Sequence, residues 1–417
     1  MAGAFPDTRS VKPLYYLQVV FRWIARRLSP PVVWLLMPVK LFAWRTRWLW
    51  LRRLILEVTT ATDFAMVFAN TQNVAMLIHQ AAYGGNFIFG KALMVVDHAS
   101  ADRDIRQPTM RGNRFMGIDI VGNDPMVFLT NAGPIAAGPP TRDLIRGHID
   151  SEIMTPRVRS LDLQSLRTEC AEIIRDWSAD PQMAGMWQIR GAVTRIIFRV
   201  LAGLTLPKTQ ADGITYHYAR RFVEFSLFGR YLPLMLGLLG TREGIRRDAY
   251  IPLRKLGVDG LVVDMTLFAA MFSVGTIVMK CVEIAREQEV PYAKLGDRDR
   301  MTFVIESLRL NPTVTTVHRI AEGEETILMR GRKLDLGPGD ELAYPFVCIN
   351  RDASKFTDPA AFRLDRPPAE VAAVLSWSAG PHACPAKDLS ILSTVLMLDA
   401  LAGRFDLSEL KIYNLEF

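Results

Sequence analysis

Apolar residues recur at helical spacing through much of the chain after Thr141. The spacing predicts helices over 141–155, 160–178, 188–203 and 215–230, and a long apolar helix over about 256–288. A further helix is predicted over Asp299–Arg309, and it ends before Pro312. Residues 313–349 instead contain the short apolar runs of β-strands, with a turn at Gly337–Asp340.

The pattern before Thr141 is less regular. Leu54–Thr60 is predicted to be a strand and 61–81 a short helical stretch, whereas 82–140, rich in glycine, proline and asparagine, is predicted to form loops and short helices. Helices combined with a small strand region favour a mainly α fold with small β-sheets. With 417 residues, half of them apolar, the chain can form one large helical enzyme or two to three domains.

Positive charge is concentrated at the start of the chain. Residues 1–53 contain ten Lys or Arg and one acid, whereas the remainder contains 40 basic and 42 acidic residues. Because the excess charge belongs to one segment, it does not indicate general affinity for nucleic acid, and we expect no nucleic-acid partner. The same segment holds five of the eight tryptophans, and proline or arginine interrupts its apolar runs. These runs are shorter than the roughly 20 residues that span a bilayer.

Basic side chains mixed with tryptophan and leucine are typical of a helix that lies in the membrane interface. An arm packed on the protein's own surface, or on a second subunit, is the alternative, and both interpretations remain open. We predict a basic, Trp-rich N-terminal arm over 1–56 and the main domain over 57–417. We expect a cytoplasmic protein, with peripheral membrane contact through residues 1–53 as the favoured role of the arm.

Cys384 has a special local sequence among the four cysteines. The cysteines are far apart and form no CxxC pair, so neither a disulfide framework nor a structural zinc site is indicated. Cys170, Cys281 and Cys348 are expected to be ordinary buried thiols. Cys384 follows a glycine-containing turn and precedes Pro385, which suits the first position of a helix. The N–H groups of a helix start favour a thiolate, and a thiolate held in this way can serve as the proximal ligand of a haem iron.

Several short motifs precede this cysteine. Glu306 and Arg309 lie three residues apart, on one face of a predicted helix. The motifs that follow are Asn311-Pro312, His318-Arg319, Asn350-Arg351-Asp352, Asp358–Arg366 and the cysteine loop Trp377–Lys387. This ordered set resembles the cytochrome P450 superfamily, specifically over about residues 300–407 and more weakly over 138–290.

The resemblance implies a cytochrome P450-like haem domain over residues 57–417. It implies haem b (iron protoporphyrin IX) as the cofactor and Cys384 as the axial ligand of the iron. It also implies that Glu306, Arg309 and Arg366 form a buried structural triad, which fixes the segment that leads into the cysteine loop.

The cysteine loop matches the family pattern with two departures. Trp377 stands where a phenylalanine is usual, and Ala386 replaces the usual glycine. Gly380 allows the tight turn, and by the resemblance His382 contacts a haem propionate. The family also binds the propionates through cations, and the positions that match them here are Arg142, Arg146 and Arg319.

The long apolar helix departs from the family pattern. Typical members carry a small-residue pair, then an acid and a threonine that relay protons during O2 activation. Here Ala269 and Ala270 form the small pair, and Phe272 and Ser273 stand at the acid and alcohol positions, so the implied catalytic residues are Ala269, Phe272 and Ser273. A register one residue earlier puts Met271 and Phe272 there, and neither register supplies a carboxylate.

The resemblance implies an oxidoreductase, most simply an O2-dependent monooxygenase that receives electrons from a separate ferredoxin or flavin reductase. An apolar small-molecule substrate is expected because residues 220–239, a lid segment in the family, are dense in Phe, Leu and Met. The missing acid leaves two alternatives open. One is a peroxide-dependent peroxygenase or hydroperoxide isomerase, and the other is a non-catalytic haem-binding partner protein at a membrane.

Overall fold

The computed structural model describes residues 8–46, 48–106, 114–115, 118–119, 147, 150–151, 156, 159–178, 186–215, 251–255, 257, 271–321, 323–329 and 332–412. The helices are α1 Thr8–Arg45, α2 Leu49–Asn70, α3 Gln72–Tyr83, α4 His98–Ile105, α5 Leu163–Ser178, α6 Met186–Ala202, α7 Ile251–Lys255, α8 Met271–Glu287, α9 Asp297–Leu310, α10 Phe346–Ile349, α11 Pro368–Ala372 and α12 Lys387–Ala402. The strands are β1 Phe87–Phe89, β2 Ala92–Met94, β3 Arg114–Phe115, β4 Ile118–Asp119, β5 Thr316–Ile320, β6 Glu325–Met329, β7 Arg332–Leu336 and β8 Glu341–Pro345.

The strands form small sheets in the described part of the chain. The largest has the strand order β1-β2-β8-β5, in which β2 pairs parallel with β8 and the other pairs are antiparallel. The hairpins β3–β4 and β6–β7 are antiparallel and two-stranded. The fold is therefore mainly α with small β-sheets, which confirms the fold class predicted from the sequence.

Several described helices lie where the sequence predicts them. Helices α5, α6 and α9 occupy the predicted stretches, and α8 forms the second half of the long apolar helix. In the predicted turn before β8, the Asp340 N–H donates to the Gly337 carbonyl oxygen at 3.1 Å. The helices predicted over 141–155 and 215–230 fall almost entirely outside the described residues.

The strand predicted over Leu54–Thr60 is wrong, because these residues belong to α2. Adjacent β-branched residues favour a strand when judged by propensity alone. In the helix, however, the Thr59 hydroxyl donates to the Ile55 carbonyl oxygen at 3.0 Å and the Thr60 hydroxyl to that of Leu56 at 2.5 Å. These bonds to the preceding turn satisfy both hydroxyls, so the two threonines are buried without leaving an unpaired polar group.

The described apolar core consists of two clusters. One lies among α5, α6, α8, α9 and α12. The other contains the four-stranded sheet together with residues of α1, α2, α3 and α4, such as Val33, Trp44 and Leu56. The second half of α1 therefore packs in the body of the protein. The division into an arm over 1–56 and a haem domain over 57–417 stays a prediction. No helix among the described residues has both the length and the apolar character needed to cross a membrane.

A buried ion pair holds α1 in this body. The Lys40 Nζ donates to Asp63 Oδ1 at 2.6 Å, and the backbone N–H of Gly90 donates to Asp63 Oδ2 at 2.6 Å. The His79 Nε2 lies 3.3 Å from Asp63 Oδ1. Burial by itself would raise the pKa of Asp63, but the hydrogen bond with His79 and the charge of Lys40 lower it. Lys40, one of the ten basic residues of the arm, thus points into the core, where it is 2% exposed.

We expect Asp63→Asn to lower the free energy of unfolding by about 3–5 kcal/mol, because the change leaves the Lys40 ammonium buried without its counter-charge. Denaturant unfolding followed by circular dichroism measures this loss. Asp365→Asn is the control, because Asp365 pairs with Arg363 at the surface and its loss should barely move the unfolding midpoint. Equal midpoints for the two variants would contradict a stabilising role of the buried pair.

Candidate functional site

Cys384 lies between a single 3-10 turn, Gly380–His382, and the start of α12. Its backbone N–H donates to the Trp377 carbonyl oxygen at 2.8 Å, which closes the loop. Gly380 has a φ of +63°, and a Cβ there would meet the Cα of Arg106 at 2.6 Å. Glycine is therefore required at this position for its backbone conformation and for the close approach of Arg106, the residue that follows α4.

The surroundings of Cys384 differ from those of the other three cysteines. Cys384 is exposed, whereas Cys170, Cys281 and Cys348 are buried. Burial raises the pKa of Cys170 and of Cys281 to about 12 and also raises that of Cys348. These three thiols stay protonated at neutral pH and are poor metal ligands, because the thiolate is the form that binds a metal. Cys384 is therefore the cysteine that a cofactor can reach.

Trp377 joins the cysteine loop to α12. Its indole Nε1 donates to the Ser390 hydroxyl at 2.9 Å, and the Lys387 ammonium lies 5.5 Å from the centroid of its ring. Ala386 immediately precedes α12 and has a φ of −105°, which alanine adopts without strain. This backbone conformation explains why the chain tolerates alanine where the family has glycine. The contacts fix Cys384 relative to the start of the helix.

The structure brings Glu306, Arg309 and Arg366 into contact. The Nε and Nη2 of Arg309 donate to the two carboxylate oxygens of Glu306 at 2.7 and 2.8 Å. The Nε of Arg366 donates to Glu306 Oε1 at 2.8 Å. All three residues are buried, and Arg309 has an exposure of 0%. The bidentate pairing of Arg309 with Glu306 gives hydrogen-bond partners to the guanidinium and the carboxylate together, which offsets the cost of burying their charges.

A chain of hydrogen bonds continues from this triad to the cysteine loop. The Arg309 Nη1 donates to the carbonyl oxygen of Asn350 at 2.7 Å. The side-chain amide of Asn350 donates to the Ser376 hydroxyl at 2.9 Å and accepts from the Leu375 N–H at 3.0 Å. Ser376 directly precedes Trp377 in the sequence. The triad and the loop are therefore parts of one connected polar network.

Arg319 on β5 is a buried arginine with unused donors. Its Nη1 donates to the His318 carbonyl oxygen at 2.8 Å, whereas its Nε and Nη2 have no hydrogen-bond partner among the described residues. The residue is 5% exposed, and desolvation lowers its pKa. A buried cation with two unsatisfied N–H groups fits an anionic ligand, since arginine binds carboxylates through paired hydrogen bonds. This site therefore fits a haem propionate.

We expect Arg319→Met to have opposite effects on the apoprotein and on haem binding. Without haem, the change removes a poorly satisfied buried charge and should raise the free energy of unfolding by about 1–3 kcal/mol. With haem, it removes a propionate partner and should weaken cofactor retention. Thermal unfolding of the apoprotein and the rate of haem transfer to apomyoglobin measure the two effects. Unchanged haem transfer would contradict the proposed contact.

Several predicted site residues lie outside the part of the chain that the structure describes. These are Arg142, Arg146 and Ala269, and for Phe272 and His382 the side chains are also outside it. Ser273 is half-buried near the start of α8. The acids of α8 are Glu283 and Glu287, which follow Ser273 by about three turns or more. The helix thus holds no acid within one turn after Ser273.

Sequence reasoning missed three residues that hold the cysteine loop: Ser376, Ser390 and Arg106. Ser376 had a detectable signal, because it is a polar residue within the apolar run Val374–Trp377, directly before the loop. Ser390 lies on the first turn of an apolar helix, where a serine is common and gives no indication of a tertiary contact. Arg106 is distant in sequence from Gly380, so their contact depends on the tertiary fold.

The architecture matches solved cytochrome P450 structures. The heme domain of a Tepidiphilus thermophilus P450 gives a TM-score of 0.59 at 14% identity, covering 80% of this chain and 86% of that one. P450BioI, in complex with hexadec-9Z-enoic acid ligated acyl carrier protein, gives a TM-score of 0.58 at 13% identity, covering 75% and 85%. The chain has the cytochrome P450 fold, which confirms the fold that the motifs predict.

Two curated relatives match shorter stretches of the sequence. Linoleate 10R-lipoxygenase of Aspergillus fumigatus is 32% identical over 113 residues, which make up 27% of this chain and 10% of that protein. Cytochrome P450 141 of Mycobacterium tuberculosis is 31% identical over 110 residues, or 26% of each chain. The matched stretches thus span about a quarter or less of either relative. No protein-family model matches the sequence.

Proposed function

We propose that the protein is a haem-thiolate oxidoreductase with haem b bound through the sulfur of Cys384. The observation that carries this proposal is the exposed thiol of Cys384, held at the start of α12 by the contacts of Trp377. The unused donors of Arg319 support a nearby carboxylate group of the cofactor. The further residues that we propose to hold the haem are Arg142, Arg146, Gly380, His382 and Ala386.

Bound haem would supply an iron centre that activates an oxidant, and the chain's own groups would tune and hold it. The N–H groups at the start of α12 favour the thiolate form of Cys384. Arg319 would bind a propionate, which would supply acceptors for the Nε and Nη2 donors that have no partner within the described protein. The triad and Asn350 keep the cysteine loop rigid through the hydrogen bonds that reach Ser376.

We further propose an O2-dependent monooxygenase that oxidises an apolar small molecule. Electrons would come from a separate ferredoxin or flavin reductase. The match to P450BioI, whose complex holds hexadec-9Z-enoic acid ligated to an acyl carrier protein, supports an apolar acyl chain as one substrate class. The predicted lid at residues 220–239 lies outside the described part of the chain.

The proposed distal residues are Ala269, Phe272 and Ser273. The Ser273 hydroxyl can donate and accept a proton, and it is half-buried rather than sealed in the core. Phe272 and Ala269 would form apolar walls that limit the access of water. In this arrangement protons reach the oxidant through Ser273, through water or from the substrate, because the motif contains no carboxylate.

A peroxide-dependent reaction is the second candidate function. The missing acid favours it. A peroxide already carries the two electrons that O2 would have to receive, so the reaction needs neither an electron partner nor the full proton relay. A match over 10% of a relative named linoleate 10R-lipoxygenase supports a fatty acid or its hydroperoxide as the substrate class of such a reaction. A non-catalytic haem-binding partner at a membrane is the third candidate, and detectable turnover with either oxidant would eliminate it.

Parallel turnover assays distinguish these candidates. The holoprotein is incubated with fatty acids and terpenoids, first with NADPH, ferredoxin reductase and ferredoxin, then with hydrogen peroxide, and separately with a fatty-acid hydroperoxide. We expect oxygenated product with the electron donors. Product with peroxides alone would establish the second candidate, and no product under any of these conditions would favour the third.

We also propose that the protein is cytoplasmic and contacts a membrane peripherally through residues 1–53. Four of the five tryptophans in this segment are exposed, and the exception is Trp44, which is buried against Arg52.

A further inference from the structure

Helix α1 has two apolar faces, and the structure buries one of them. The residues of the buried face, spaced by three or four, are Ala25, Ser29, Val33, Met37, Lys40 and Trp44. The opposite face carries a second series at the same spacing, and its exposed members are Leu17, Phe21, Ile24, Leu28, Leu35 and Phe42. A surface helix of a globular protein normally presents polar residues on the side away from the core. This second series, called the outer face below, therefore requires an explanation.

Helix α2 repeats the pattern. Trp50, Leu54 and Val58 follow one another at four-residue spacing and are exposed, whereas Leu56 and Asp63 point into the core. At the junction of the two helices, Trp48 and Trp50 stack with a centroid distance of 6.3 Å, and they are 62% and 65% exposed. Exposed apolar groups concentrated in one region of a protein mark an interaction surface.

The charges of α1, which carries the outer face, have a single sign. Between Asp7 and Glu57 the sequence contains no Asp or Glu. Among the side chains that the structure describes in this stretch, the exposed arginines are Arg26, Arg27, Arg45 and Arg53. One of them, Arg27, lies with its guanidinium 4.0 Å from the centroid of the Trp23 ring. A partner for this surface must therefore be apolar in its centre and negatively charged at its edge.

A second copy of the chain fits these requirements poorly. Two outer faces in contact would bring their arginines together, and no acid of the same stretch could compensate the repulsion. The apolar surface is also wider than the narrow seam of a helix pair, because Trp23 and Trp34 are exposed on its flank. A bilayer supplies both an apolar interior and, where its lipids are anionic, the matching charge.

We propose that the outer face of α1 and the exposed side of α2 lie in the interface of a bilayer with anionic headgroups. Leu28, Leu35 and Phe42 enter the boundary of the acyl chains, the exposed tryptophans lie at headgroup depth, and the arginines bind lipid phosphates. Because Lys40 and Asp63 tie the opposite face to the core, α1 cannot swing away as a flexible anchor. The membrane therefore holds the whole protein in one orientation.

This proposal specifies the peripheral contact proposed above and is independent of the haem chemistry, because lipid binding needs no turnover. The test is flotation of the full-length holoprotein with vesicles of phosphatidylcholine alone and of phosphatidylcholine mixed with an equal part of phosphatidylglycerol. We expect binding to the anionic vesicles that weakens as salt is added, and little binding to the neutral ones. Vesicles with brominated lipids should quench the tryptophan fluorescence.

Two variants and a matched control locate the surface. Leu28→Ser combined with Leu35→Ser should weaken binding to anionic vesicles by roughly a hundredfold, since both side chains lose their apolar burial. Replacing Arg27 and Arg45 together by glutamine should weaken it by about thirtyfold. The control combines Leu163→Ser and Met301→Ser, which are exposed apolar residues on α5 and α9 and should change nothing.

Three results would overturn the proposal. Equal flotation with neutral and anionic vesicles would remove the role of charge, and equal binding by the leucine variant and its control would remove the role of the outer face. The third is a stable dimer in sedimentation equilibrium that the leucine variant dissociates while vesicle binding is absent. That result would assign the outer face to a second copy of the chain. The spectrum of bound haem, recorded for each variant, shows that the fold is retained.

Discussion

Cys384→Ala should abolish the strongly red-shifted Soret band that reduced, CO-bound haem shows when a thiolate is its ligand. The change removes the exposed thiol at the start of α12, and the nearest chemical substitutes, Cys170, Cys281 and Cys348, are buried elsewhere. Because burial raises the pKa of each of those thiols, none can replace the lost thiolate. The loss of the red-shifted band should therefore be complete rather than partial.

The measurement is a difference spectrum of protein expressed with a haem precursor. Cys170→Ala is the matched control, because it removes a thiol of the core and should leave the band at full intensity relative to haem. Circular dichroism verifies that the Cys384→Ala variant is folded. A folded Cys384→Ala protein that still shows the thiolate band would eliminate the proposed ligand, and with it the haem-thiolate function.

The parts of this site that could be predicted are those with local sequence signals. The loop from Trp377 to Cys384 and the Glu306–Arg309 pair can be recognised in a single sequence, because the residues of each motif lie close together along the chain. The resemblance implied that the triad fixes the segment before the loop. The hydrogen bonds that do so could not be predicted, because they pass through Asn350 and Ser376, whose side chains meet across a long stretch of chain. Arg319 could be named from its motif, whereas its unused donors became visible only in the folded protein.

The N-terminal region shows why contacts between distant parts of the chain were harder to predict. Lys40 is one of ten basic residues in the first 53, and the sequence does not distinguish it from those that face solvent. It is buried because Asp63, His79 and Gly90 meet at one point of the fold. The three-residue strands β1 and β2 were also not predicted, since so few residues carry no measurable alternation.

Glu306 connects the local motifs to the tertiary fold, so its replacement should have the largest effect on folding. Glu306→Ala leaves Arg309 buried without its counter-charge and leaves Arg366 with Glu370, 2.7 Å away, as its remaining acidic partner. Both arginines are bound to Glu306 by hydrogen bonds of 2.7 to 2.9 Å. Breaking a buried ion pair costs about 3–5 kcal/mol, and two arginines are affected here. Since a domain is stable by only about 5–15 kcal/mol, we expect no haem incorporation and little soluble protein.

Haem content per protein, measured after expression with a haem precursor, tests this expectation. Arg363→Ala is the matched control, because Arg363 lies close to Arg366 in sequence but pairs with Asp358 and Asp365 at the surface. That variant should bind haem normally, since surface ion pairs contribute little. If Glu306→Ala were soluble with full haem content, the triad would be dispensable, and the hydrogen bonds through Asn350 would have to hold the cysteine loop without it.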